Sequence, residues 1–139
     1  MSQSAALSAI NGQKGKQNME ILKCNLDLKN KVDIYRLTKA SSVMVQDAPD
    51  GLSVPVTKWA LYNDPKEQKD GTMKDNKVLS FVDNAGVKYS TVSATFIREF
   101  EAIVEIMDPD PFAILLKHGT TNAGKPFVTC ELDCDYSAQ

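Results

Sequence analysis

The chain has 139 residues, 42% of them hydrophobic and 24% charged, with a formal charge of -2. That is the length of one domain with enough apolar residues for a real core, which excludes collagen-like, coiled-coil and wholly disordered chains. No apolar run approaches the about 18 residues of a membrane span. The first ten residues carry no Lys or Arg and too short an apolar stretch for a secretory signal, so an intracellular protein is expected.

In chain order, residues 1–17 are rich in Ser, Ala, Gln and Gly and predict a flexible arm ahead of a domain over 18–134, with a short tail at 135–139. Met19–Leu26 is a short, mixed strand candidate. Lys31–Lys39 (KVDIYRLTK) is rich in β-branched and aromatic residues and predicts a second strand, and Ser42–Gln46 a third. A turn over Asp47–Gly51 leads into a long strand, Leu52–Tyr62. Within it Val54 and Val56 share one phase and Trp59 and Leu61 the other, so either a bulge shifts the register or both faces are partly buried. Asn63–Asn76 is polar, holds Lys66, Lys69 and Lys74, and predicts a flexible surface loop. Lys77–Asp83 and Val87–Ser90 predict a hairpin about Asn84-Ala-Gly86.

One helix is expected, over Ser93–Met107. Phe96, Phe100, Ile103 and Met107 recur at helical spacing, Ile97 and Val104 widen the stripe, and Arg98, Glu101 and Glu105 take the other side. Ser93 can cap its start, and Asp108-Pro-Asp-Pro111 stops it. A final hairpin pairs Phe112–His118 with Lys125–Leu132. The order is strands and hairpins, one amphipathic helix, then a last hairpin. It predicts a mainly β (α+β) chain, an OB-like five-stranded barrel.

Catalytic machinery is sparse. His118 is the single histidine and reads as structural, and Cys24, Cys130 and Cys134 form no C-x-x-C pair. No G-x-S-x-G, H-E-x-x-H or EF-hand pattern occurs. Gly12-Gln-Lys-Gly15-Lys16 fails as a P-loop, because its glycines are too close and Gln17 stands where Ser or Thr is needed. Neither an enzyme, a cofactor nor a metal site is expected. Instead, cations interleave with aromatics. Tyr35, Arg36 and Lys39 form one such group, Lys58, Trp59 and Tyr62 another, and Lys117, Lys125 and Phe127 a third. Single-strand binders use this pairing, with cations tracking phosphates while rings stack on bases. Period-two alternation puts Val128, Cys130 and Leu132 on one face of the last strand and Lys125, Phe127, Thr129 and Glu131 on the other. Trp59 is either core or a stacking platform. Charge is dipolar: Asn11–Lys39 carries +4, Thr91–Pro111 carries -4 and the last twelve residues -3.

The helix VSATFIREFEAIVEI (Val92–Ile106), the apolar strand after it and GTTNAGKPFVTCEL (Gly119–Leu132) resemble phage-encoded single-stranded DNA-binding proteins. So do DIYRLTKASS (Asp33–Ser42) and VTKWALYND (Val56–Asp64). The resemblance spans Lys31 to Leu132. It implies an OB-fold that coats single-stranded DNA during phage replication or recombination in the bacterial host cytoplasm. It also implies self-association and contacts with replication or recombination proteins, often through an acidic C-terminal tail; here the end, ELDCDYSAQ, is short. A structural virion or assembly protein is the alternative from the residues alone.

Overall fold

The computed structural model describes residues 19–137, so the arm expected over 1–17 lies outside the described residues. Its strands are β1 (Glu20–Cys24), β2 (Val43–Met44), β3 (Ser53–Asn63), β4 (Lys66–Glu67), β5 (Met73–Lys74), β6 (Lys77–Asp83), β7 (Lys88–Thr91), β8 (Phe112–Thr120) and β9 (Pro126–Leu132). Its helices are α1 (Lys31–Thr38), α2 (Ala94–Met107) and α3 (Cys134–Ser137).

β3 organises the sheet. Its 11 residues pair with β6 along one edge. The opposite edge is shared: Ser53–Val56 pairs with β8 and Ala60–Asn63 with β1. The main sheet runs β2-β7-β6-β3-β8-β9, with β1 also on β3, and curls into a half-barrel. β3, β6 and β7, then α2, then β8 and β9 follow the expected OB-like order of three strands, a helix and a hairpin. β1 and β2 are additions to those five, and the parallel partner of β7 is β2, not β9.

The core fills the curl. Val54, Val56, Trp59 and Leu61 from β3 meet Leu79 and Phe81 from β6, Ile114 and Leu116 from β8, and Val128 and Cys130 from β9. α2 closes this core with Phe96, Ile97, Phe100 and Ile103, the stripe legible in the sequence. Ser93 caps it as expected, its Oγ accepting from the Phe96 amide at 3.3 Å. Phe81 lies at the centre, 5.5 Å from the Tyr89 and Phe100 rings and 6.0 Å from Phe96, within the range of favourable aromatic pairs.

Two expectations are corrected. Lys31–Lys39 is not a strand. Asn30 caps a helix there, its Oδ1 accepting from the Asp33 amide at 3.1 Å, and Asp33 sits in the favourable first turn. Ile34 and Leu37 are one turn apart and pack on Ala60 and Tyr62, on the outer face of β3. Capping and burial thus override the strand preference of Val32, Ile34 and Tyr35. Asn63–Asn76 is no structureless loop either. β4 and β5 form a two-stranded ribbon, turned at Gly71 with φ +86° and tied at its base by the Asn76 amide donating to Asn63 Oδ1 at 2.8 Å.

The phase conflict in β3 has two causes, a bulge and burial of both faces. The register shifts between Val56 and Lys58, which returns Trp59 and Leu61 to the side of Val54 and Val56. Both faces are also buried beyond the shift, because α1 covers Ala60 and Tyr62.

Candidate nucleic-acid interface

The structure splits the expected site into two exposed groups and a buried remainder. Trp59 and Tyr62 are the remainder. Trp59 is 7% exposed and meets Phe100 edge-on, with ring centroids 5.7 Å apart. Tyr62 is 4% exposed, with its hydroxyl 3.1 Å from Ser80 Oγ and its phenol held above the usual range by burial. Both rings are buried, so Trp59 takes the core alternative and Tyr62 is corrected from a binding residue to a core residue. The cause is the register shift for Trp59 and the cover of α1 for Tyr62.

The first exposed group lies on the β8–β9 hairpin. Here the period-two reading holds: Val128 and Cys130 are buried, while Phe127 is 42% exposed. Phe127 pairs with Gly119 across the strands, and its ring lies where a Gly119 side chain would be. Glycine at 119 therefore leaves room for the ring against the backbone, while the residue stays partly exposed. Lys117 is two residues before Gly119 on the same face. Its Nζ stands 3.7 Å from Glu131, in an exposed pair worth about 0–1 kcal/mol that leaves the ammonium available to a phosphate. Lys125 is exposed at the base of the β8–β9 turn, which Gly124 closes with φ +83°. A groove of about 540 Å³ beside the ring is lined by Gln46, Ser93, His118, Pro126 and Phe127 among others.

The second group is carried by α1 and not by a strand. Tyr35 is 63% exposed, Arg36 is exposed on the same helix and Lys39 is exposed at its C-cap. Lys58 follows the β3 bulge and points at α1, where it pairs with Asp33 at 2.8 Å. Its charge is thus committed to a helix carboxylate. Both groups occupy the outer face of the sheet. α1 covers the Ala60–Tyr62 end of β3, and the hairpin group lies beyond Ser53 at the other end. The sequence placed Tyr35, Arg36 and Lys39 together but on the wrong element. Asn30 and Asp33, spaced as a cap, were the available signal. Lys88, a buried cation on β7, carries no neighbouring pattern in the sequence that would mark it.

The groups that could have served catalysis or metal binding have structural partners. His118 Nε2 lies 2.6 Å from the Ala48 carbonyl oxygen, and its amide donates to Asp50 Oδ1 at 2.9 Å. Burial pushes the Cys130 thiol up to about 12 and raises Cys24 as well, which disfavours the thiolate at both. Among the described residues no cluster of metal-ligating side chains occurs, and no helix is long and apolar enough to cross a membrane.

An OB-like half-barrel with cations beside exposed rings is the architecture of a single-strand-binding module. Residues 16–133 match the family model described as phage single-stranded DNA-binding protein. The chain belongs to that family and binds single-stranded DNA in phage replication. No curated protein and no solved structure matches it.

Proposed function

We propose that the chain coats single-stranded DNA without strong sequence preference, as a non-catalytic protein of the host cytoplasm. Phe127 stacks on a base, Lys117 and Lys125 hold the flanking phosphates, and Tyr35, Arg36 and Lys39 make a second contact on α1. The observation that carries this is the Phe127 ring, seated over Gly119 and partly exposed beside a weakly paired lysine. A ring accepts any base and a lysine any phosphate, which accounts for binding without readout of base edges. Self-association and contacts with replication or recombination proteins belong to the same reading. No feature favours the virion or assembly alternative.

Oligo(dT) and mixed-sequence oligonucleotides should bind alike, with log K falling against log salt by about 0.7 for each phosphate neutralised. Gel shifts across a salt series measure both. Tight duplex binding with no preference for single strands would refute the reading.

A further inference from the structure

A pocket holding three cations lies between α1, the bulge of β3 and the β6–β7 turn. It has a volume of about 410 Å³, and its lining includes Asp33, Arg36, Ala40, Lys58, Asp83 and Lys88. Lys88 projects from β7 on the outer face of the sheet and is only 9% exposed. Its ammonium donates to the Ala40 carbonyl at 2.7 Å, just past the end of α1, and no carboxylate among the described residues lies within ion-pair distance of it.

The two acids of the pocket are already occupied. Asp33 Oδ2 accepts from Lys58 Nζ at 2.8 Å and from Asn30 Nδ2 at 3.0 Å. Asp83 Oδ1 accepts from the Ala85 and Val87 amides, both at 2.9 Å, inside the β6–β7 turn. Arg36 and Lys88 therefore line one cavity with neither held in an ion pair among the described residues, although the Asp33 and Asp83 carboxylates line it too. An ammonium removed from water and given one carbonyl is held at a cost that an incoming anion would relieve.

We infer that this pocket is a phosphate subsite, in which Arg36 and Lys88 clasp one phosphodiester of the bound strand. The guanidinium can take two of its oxygens side by side and the ammonium a third. Tyr35, exposed on the same helix next to Arg36, is placed to meet the adjoining base. This deepens the single-strand reading above and rests on it.

Burial lowers Lys88 to about 8 in the free protein. The charged groups around it are Asp33 and Arg36 from α1, Lys58 from β3 and Asp83 from β6, with the Tyr62 phenol nearby through Ser80 and Ser90. Burial disfavours the charged form and a bound phosphate favours it, so binding draws a proton onto Lys88. Affinity then declines as pH rises from about 8 towards the ordinary lysine value of 10.5.

Calorimetry of oligo(dT) binding near pH 8.5, in two phosphate-free buffers of different ionisation enthalpy, reads that proton directly. Wild type should take up about 0.7 proton and Lys88→Met close to none. Arg36→Gln, at an exposed position, should keep the thermal midpoint and lose about 0.7 of the salt slope, about fivefold in affinity at 0.1 M salt. Wild-type binding without proton uptake overturns the subsite, as does uptake that persists in Lys88→Met. Uptake with inorganic phosphate alone but none with oligo(dT) also overturns it, since the ligand is then a free anion. If Lys88→Met fails to fold, wild-type uptake and the Arg36→Gln slope still decide. Absence of any oligo(dT) binding is a separate result, which sinks the single-strand reading and the subsite with it.

Discussion

β3 and the β8–β9 hairpin are neighbours in one sheet, and each presents aromatic residues beside lysines, yet they use them in opposite ways. The second half of β3 is buried on both sides, by the main core and by α1, so Trp59 and Tyr62 both pack inward on something. The tip of the hairpin is covered on one side only, so Phe127 lies on the wet face with Lys117. An aromatic next to a lysine is thus a binding signal only where one face of the strand is left uncovered.

Substitutions can sharpen that contrast, beginning with the largest effect. Trp59→Ala should cost about 3–5 kcal/mol of stability, because it empties a site packed against Phe100. Chemical denaturation measures this, and the fraction still folded should keep its oligo(dT) affinity. Leu37→Ala, 1% exposed under α1, should cost about 2–5 kcal/mol if the second core is as well packed as the first. A loss below 1 kcal/mol would show that α1 is only loosely laid on β3, and would reopen Tyr62 to solvent.

Phe127→Ala should do the reverse of Trp59→Ala. It should weaken oligo(dT) binding by about 1–3 kcal/mol, with the midpoint moving only slightly, since the ring is 42% exposed. Measuring midpoint and affinity on one preparation separates the outcomes, and a collapse of the midpoint with affinity kept would put Phe127 in the core. The smallest stability effect belongs to Lys117→Gln. It removes an exposed ion pair, about 0–1 kcal/mol, while the salt slope should fall by about 0.7. An unchanged slope would place the phosphates elsewhere than beside Phe127.

The legibility of the chain follows the same contrast. α2 was readable from Phe96, Phe100 and Ile103, because a helix with one buried stripe writes its period into the sequence. β9 was readable because one buried face writes a period of two. The second half of β3 hid its faces, since a strand covered on both sides has no alternation to show. α1 is not legible because eight residues hold only two turns, too few for the spacing of Ile34 and Leu37 to outweigh the strand preference of Val32, Ile34 and Tyr35.

The sequence by itself determined a β-rich chain, the order of three strands, a helix and a hairpin, and the wet face of β9, since each rests on local periodicity and turn residues. The tertiary structure alone decided that Tyr35 and Arg36 ride on a helix, that Trp59 and Tyr62 are core, and that Lys88 shares a pocket with Arg36. Those three facts depend on which element covers the outer face of β3. That cover is made by residues about 25 positions away in the chain, a separation over which no local pattern carries information.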